Sequence, residues 1–271
     1  MNNLILRPLT GLRELIMKSI WKIGIGCLAL MVAFASCATL PDAQNKKEAE
    51  AYRRVGEAFL QQGDFKAALK ELIKAEAKYP NDYELQYDLG LAYYRLEKYD
   101  EAIGHYQKAV ALKENYGPAL NGLGNAYSGK KDWEKAIYYY NKVLGDILYG
   151  TPHFALNGLG YAYYYKGELE RSEKYFLEAL EIKPDFVSSL QGLAQTYIAM
   201  GRMPQGVEKL EKAVQLAPDV PLLHFQLAKA YQLALEFKKA YDQYNKVVEM
   251  APGSPLADEA EQGAKEVKSL F

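Results

Sequence analysis

The sequence predicts an all-α fold, a stack of six helix pairs closed by a C-terminal capping helix. A Leu or Val followed by Gly or Ala recurs with spacings of 34, 34, 36, 34 and 34 residues. An aromatic residue follows three positions after each small residue, which is a periodicity typical of helix–turn–helix repeats of 34 residues. The recurring pairs are Val55-Gly56, Leu89-Gly90, Leu123-Gly124, Leu159-Gly160, Leu193-Ala194 and Leu227-Ala228.

A second set of marks has the same period. A small residue lies twelve positions after the first one in each unit, as Ala68 and Ala102 show, and a large apolar or aromatic residue follows four positions later. Most units end in proline, at Pro80, Pro184, Pro218 and Pro252. These residues resemble the tetratricopeptide repeat family, and the resemblance implies a right-handed superhelix. The six repeats are predicted at 49–82, 83–116, 117–150, 153–186, 187–220 and 221–254.

The glycines have predicted structural roles. Gly56, Gly90, Gly124 and Gly160 have no side chain where the first helix of a pair must approach the second. Gly63, Gly167 and Gly201 follow the first helix, where a left-handed residue ends a helix at little cost. A two-residue insertion between repeats 3 and 4 predicts an irregular corner at residues 145–152, where the preceding helix ends early. Residues 255–271 are predicted to form the capping helix, beginning at Pro255.

The N-terminal residues are predicted to be a targeting segment rather than part of the fold. Lys18 and Lys22 precede an apolar run of 13 residues, 23–35, which is shorter than the roughly 20 needed to span a bilayer. The run ends in Phe34-Ala35-Ser36-Cys37, which resembles the lipobox of bacterial lipoproteins. This resemblance implies cleavage before Cys37 and acylation of its thiol. A retained N-terminal anchor and ordinary signal-peptide cleavage near Ala38 are the alternatives.

The predicted domain order is therefore a lipoprotein signal peptide at 1–36, an acylated cysteine with a polar tether at 37–48, and the repeats. Met17 is an alternative start. Two or three acyl chains would hold a soluble domain on a membrane. Since Ala38 follows the cysteine, and not the Asp typical of inner-membrane retention, the resemblance implies the periplasmic face of the bacterial outer membrane.

Charge and composition argue against several classes of function. The net charge of −1 removes the electrostatic case for a nucleic-acid binder. Both cysteines lie in the first 37 residues, so a disulfide scaffold is excluded. His105, His153 and His224 are scattered and lack metal-ligand partners at helical spacing. We therefore expect no catalytic residues, no metal and no cofactor, and an enzyme or small-ligand binder is the least favoured class.

In the tetratricopeptide family, the first helix of each pair lines a concave groove, chiefly through repeat positions 2, 5, 9 and 12. The resemblance implies that this groove binds a protein or an extended peptide, because Asn and Gln can pair with a peptide backbone and Tyr supplies contact area. The alternative is that these residues only pack the superhelix and form a solvated polar surface that binds no partner. The predicted groove residues are Arg53, Tyr87, Leu91, Tyr94, Asn121, Asn125, Phe154, Asn157, Tyr161, Tyr164, Gln191, Gln195 and Phe225.

The complete layout, a lipobox cysteine, a short tether and six repeats, resembles the type IV pilus biogenesis and stability lipoproteins, which are pilotins of the pilus secretin. The corner with Asp146, Leu148 and Tyr149 is similar to theirs. The resemblance implies a membrane-anchored scaffold that binds the secretin subunit and assists its assembly. The alternative is a lipoprotein adaptor that docks cell-wall hydrolases or other envelope complexes.

Overall fold

The computed structural model describes residues 42–146 and 149–271. The predicted signal peptide, Cys37 and Leu148 lie outside these residues. All regular elements of the described ranges are α-helices. The chain divides into two compact units, Met1–Asn81 and Asp82–Phe271. No helix in the described ranges combines the length and apolar character needed to cross a membrane.

The first unit contains helix α1, residues 42–62, and helix α2, Phe65–Lys78. Residues 42–48, assigned above to a tether, are helical, which corrects the expected start of the first helix at 49. The added turns are held by packing and charge: Ala49 is buried. Glu48 pairs with Lys78 of α2 at 2.7 Å.

The second unit contains the remaining helix pairs and the capping helix. The first helices of neighbouring pairs also contact one another, so each pair packs against the next. The helices are α3 (Tyr83–Arg95), α4 (Tyr99–Leu112), α5 (Gly117–Gly129), α6 (Trp133–Leu144), α7 (Pro152–Lys166), α8 (Leu169–Ile182), α9 (Val187–Ala199), α10 (Met203–Leu216), α11 (Pro221–Leu233), α12 (Phe237–Met250) and α13 (Pro255–Lys268). The predicted all-α fold of repeated helix pairs is confirmed.

Large aromatic side chains of the second helices act as wedges between glycines. The ring of Tyr140 in α6 lies between Gly124 of α5 and Gly158 of α7, at distances that leave no room for a Cβ on either glycine. Tyr106 between Gly90 and Gly122 repeats the arrangement, as does Phe176 between Gly160 and Gly192. Each glycine row therefore serves packing, as expected for its place in the repeat.

The turns inside the pairs have left-handed residues, as predicted. Gly63, Gly167 and Gly201 have φ of 79°, 78° and 75°. The equivalent places in the other repeats hold Glu97, Lys131 and Leu235, which adopt the same conformation with φ near 60°. This conformation disfavours residues with a side chain.

The corner and the C-terminus also follow the sequence prediction. Helix α6 has 12 residues, whereas α4 and α8 have 14, and the described residues between α6 and α7 are not helical. Tyr149 fills this corner by packing against Gly117. The capping helix α13 buries Ala260 and Val267. The helix ends at Lys268, short of the predicted end at 271, and Leu270 beyond it is 55% exposed.

Candidate functional site

Most of the predicted groove positions are partly exposed residues between buried neighbours on the first helices of the pairs. Helix α5 buries its residues on both sides of Asn121 and Asn125, which stay partly open. Helix α9 does the same around Gln191 and Gln195. Repeat packing thus uses the other faces of each first helix and leaves one face to solvent. Arg53 belongs to the first unit, where it pairs with Glu57 at 3.5 Å.

A cavity of about 250 Å³ opens on this face at α3, α4 and α5. The structure brings together here several of the predicted groove residues. The cavity is lined by Tyr87, Leu91, Tyr94, Asn121 and Asn125, together with Arg95, Tyr106, Pro118 and Gly122. Sequence reasoning missed Arg95 because it follows the last of the four groove positions by one residue. The cavity therefore contains five of the predicted groove residues.

The cavity walls are aromatic. Tyr87 packs against Tyr106 and Tyr116, with ring centroids 5.8 Å apart in both pairs. Burial raises the pKa of the Tyr87 hydroxyl, as does the nearby Asp88 carboxylate, and burial also raises the pKa of Tyr94. Both hydroxyls therefore stay protonated at neutral pH and can donate a hydrogen bond.

An unsatisfied polar atom lies in the same cavity. The Oδ1 atom of Asn121 is buried and accepts no hydrogen bond from the described residues. Leaving a buried acceptor unpaired costs free energy, so such atoms are uncommon in folded proteins. A backbone N–H of a bound peptide would satisfy this atom once the Asn121 side chain turns toward the cavity.

The neighbouring amides are held in place by bonds inside the stack. Asn125 Oδ1 accepts a hydrogen bond from Tyr140 Oη at 2.8 Å, and Asn157 Oδ1 accepts one from Ser189 Oγ at 2.9 Å. Gln191 donates through Nε2 to Gln226 Oε1 at 2.9 Å. These internal hydrogen bonds use one end of each amide side chain. The two asparagines offer their NH₂ groups, and Gln191 offers its carbonyl oxygen.

Tyr140→Phe is expected to lower the free energy of unfolding by about 1–2 kcal/mol, because Asn125 Oδ1 would lose its donor in a buried environment. Urea denaturation of the purified chain measures the change. Tyr138→Phe is the matched control, since the Tyr138 side chain is 60% exposed. Equal losses in both variants would contradict the proposed role of the Tyr140 hydroxyl.

The later repeats continue the aromatic and amide lining. Phe154 is 45% exposed and meets Phe186 edge to face at 5.4 Å. Tyr161 donates its hydroxyl to the Ser188 carbonyl oxygen at 3.1 Å, and burial raises its pKa to about 12. Tyr164 is partly exposed beside Tyr165.

Phe225 differs from its prediction as a groove residue. It is buried, with its ring 5.8 Å from that of Tyr244. The ammonium group of Lys229 lies 4.7 Å above the Phe225 ring centroid and covers it. Phe225 therefore supports the groove from below, because the long side chain of Lys229 takes its place at the surface.

The histidines have structural surroundings. His105 Nδ1 lies 2.8 Å from Gln86 Oε1. His224 lies between Gln243 Oε1 at 2.7 Å and the Pro218 carbonyl oxygen at 2.9 Å. In the described ranges, no three His, Cys, Asp or Glu side chains are grouped so that they could hold a metal ion.

Comparison with known families gives the class of this fold. Three tetratricopeptide repeat models match, one at residues 43–83, 54–117 and 87–148, and the others at 153–186 and 187–220. Together these matches span well over half of the chain. The chain therefore belongs to the tetratricopeptide repeat family, and it is a repeat scaffold of the kind that binds protein or peptide partners.

Several solved structures have the same fold. The structure reported for Pseudomonas aeruginosa pilF is 18% identical, with a TM-score of 0.66 over 81% of this chain and 99% of that chain. PilW, described as a widely conserved type IV pilus biogenesis factor, is 20% identical, with a TM-score of 0.68 over 79% of this chain and 98% of its own. A tetratricopeptide repeat protein from Parabacteroides merdae is 18% identical, with a TM-score of 0.66 over 94% and 98%.

Curated relatives match over about a third of the chain. Mouse superkiller complex protein 3 is 35% identical over 81 residues, which are 30% of this chain and 5% of that protein. The chloroplastic protein PYG7 of Arabidopsis thaliana is 33% identical over 94 residues, 33% of this chain and 31% of its own length. The chain thus spans less than a third of these relatives.

Proposed function

We propose that the protein is a lipid-anchored scaffold of the bacterial outer membrane that binds the type IV pilus secretin subunit and assists its assembly. The main support is the structural likeness to pilF and PilW, which extends over 99% and 98% of those chains. The whole repeat domain of each is therefore matched, and not only a shared pair of helices. The lipobox resemblance at Cys37 supports the anchor.

The proposed binding surface is the groove of the second unit. An extended segment in it would pair its backbone N–H groups with Asn121 Oδ1 and its carbonyl oxygens with the NH₂ groups of Asn125 and Asn157. The apolar side of Tyr94 and the exposed Phe154 would supply contact area. The groove is therefore suited to an unfolded or extended segment of a partner. Such a segment is accessible before the partner has assembled.

The second candidate is an adaptor for cell-wall hydrolases or other envelope complexes. It is supported by the Parabacteroides merdae tetratricopeptide repeat protein, whose structural likeness covers 94% of this chain. The two candidates share the anchor and the groove, and they differ in the partner that the groove holds.

Cys37→Ser is expected to abolish incorporation of a fatty-acid analogue, because the thiol is the proposed acylation site. The secretin recovered in the outer-membrane fraction should fall in the same cells, since an unanchored scaffold cannot accompany its partner there. Metabolic labelling and membrane fractionation measure the two effects. Cys27→Ser is the control and should keep both. Label on the Cys37 variant would overturn the anchor, whereas loss of label with normal secretin would overturn the pilus function.

A further inference from the structure

The second unit has a second feature that the groove does not use. Consecutive helix pairs meet along a line that we call a seam. At each seam, the C-terminal end of the first helix of one pair, with the loop that follows it, lies against the second helix of the preceding pair. Three seams in the second unit are bridged by an ion pair between these two elements. The pairs are Lys130 with Asp100, Lys166 with Glu134 at 2.6 Å, and Arg202 with Glu173 at 3.0 Å.

Side chains also fill two of these seams. The ring of Tyr99 packs over Gly129. Trp133 stacks on Tyr165 with ring centroids 5.0 Å apart. The loop is therefore held to the preceding helix by charge and by contact.

The seam between α10 and the loop joining α11 to α12 is different. Ala234 and Pro204 stand where Lys166 and Glu134 stand in the third repeat junction, and no ion pair of the described residues crosses this seam. A cavity of about 390 Å³ is open there instead. Its lining includes Met203, Val207, Leu233 and Leu235, with Glu208 and Glu211 at the rim.

Leu235 does not favour folding at its position, because of both its backbone conformation and its exposure. Its φ is 60°, in the left-handed region, where Gly167 and Gly201 stand in the two preceding repeats. Its side chain is 73% exposed, and Leu233 beside it is 60% exposed. An exposed apolar side chain on a disfavoured backbone gains little within the chain, and such features are concentrated at binding surfaces.

The rim of the cavity is acidic. Glu208 and Glu236 pair with Lys209 and Lys239, each a near neighbour in sequence. Glu211 accepts a hydrogen bond from the Tyr231 hydroxyl and forms no ion pair among the described residues. These surface pairs are weak and can be exchanged for a partner's cation at little cost.

We propose that this seam is a docking site for a partner protein segment that carries an apolar side chain flanked by lysine or arginine. The apolar side chain enters between Leu235 and Val207, and the flanking cations meet Glu211 and the other rim carboxylates. The site lies at the loop edge of the repeats, outside the groove positions, and it does not depend on the proposed pilus function.

The test uses the full chain in detergent and two fluorescent peptides, one with a Lys-Leu-Leu-Lys centre and one with a Glu-Leu-Leu-Glu centre. The basic peptide should bind at least about tenfold more tightly by fluorescence anisotropy, because the rim is acidic. Leu235→Gly should weaken its binding about fivefold or more while raising the melting temperature by about 2–4 °C. The double substitution Pro204→Glu with Ala234→Lys places an ion pair like that of Lys166 with Glu134 across this seam. It should also weaken binding of the basic peptide, because the new side chains would occupy the cavity.

Lys131→Gly is the matched control, because Lys131 has a φ of 61° at the same place in another repeat. It should raise the melting temperature similarly and leave peptide binding unchanged. Equal affinity for both peptides, or unchanged affinity in the Leu235 variant, would overturn the proposal. A dimer in sedimentation that Leu235→Gly dissociates would also overturn it, because a second copy of the chain would then be the occupant.

Discussion

Gly158→Ala is expected to lower the free energy of unfolding by about 2–3 kcal/mol. A Cβ on Gly158 would lie 2.3 Å from Cζ of Tyr140, and the same ring is packed just as closely on Gly124, where a Cβ would lie 2.4 Å from Cε1. The Tyr140 ring is 2% exposed, so it has no open space into which it could move. Helices α6 and α7 would have to separate, which weakens the packing of both neighbouring pairs. Urea denaturation followed by circular dichroism measures the loss.

Gly104→Ala, in helix α4, provides the control. A Cβ at this position meets no atom within 4 Å. Because glycine is a poor helix former, alanine should raise the free energy of unfolding by up to about 1 kcal/mol. The two substitutions are chemically identical and have opposite expected signs. A similar change in both would show that helix propensity, and not the wedge of Tyr140, decides the outcome.

The repeat period predicted most of the fold because each packing position recurs in every unit. The left-handed turn at Gly167 and the short α6 before the corner both follow from local residues and their spacing. The start of α1 could not be predicted in the same way, since residues 42–48 are polar. Their helix depends on contacts with α2, such as the pair of Glu48 with Lys78, which no local pattern reveals.

The groove was predictable by position and less so by chemistry. The spacing placed Asn121 and Asn125 on one face, and the structure leaves both partly exposed. The spacing could not show that the Tyr140 hydroxyl donates to Asn125 Oδ1, whereas Asn121 Oδ1 has no donor among the described residues. This difference depends on how far the Tyr140 ring reaches from helix α6. The prediction that Phe225 lines the groove was wrong for a similar reason, because its burial depends on the surrounding Tyr244 and Lys229.

Packing and binding are therefore linked through the same side chains. The wedge of Tyr140 separates helices α5 and α7, and its hydroxyl orients the Asn125 amide that faces the groove. A substitution in the wedge would disturb both stability and binding. A test of binding that leaves stability unchanged needs residues whose polar atoms form no hydrogen bond within the repeats. The carbonyl oxygen of Asn121 is such an atom among the described residues.

Tyr94→Ala combined with Asn121→Ala is expected to weaken binding of the secretin subunit about 30- to 100-fold, equivalent to roughly 2–3 kcal/mol. Asn121 would no longer accept a backbone N–H, and Tyr94 would no longer cover the segment. The Asn121 substitution should leave the melting temperature nearly unchanged, because Asn121 Oδ1 has no donor among the described residues. The Tyr94 substitution should lower the melting temperature, because its ring packs against Tyr99 and the buried core, so binding is measured well below the melting temperature. Crosslinking of the full chain in envelope extract, followed by quantitative capture of the secretin subunit, measures the loss.

The control variant is Tyr138→Ala with Asn141→Ala, which removes the same two side-chain types from exposed positions of α6 outside the groove. It should capture the secretin subunit as well as the parent chain does. Equal capture by the groove variant would show that another surface holds the partner. If the groove variant instead loses a different envelope protein, and the parent chain never captures the secretin subunit, the groove is correct and the adaptor function replaces the pilus function.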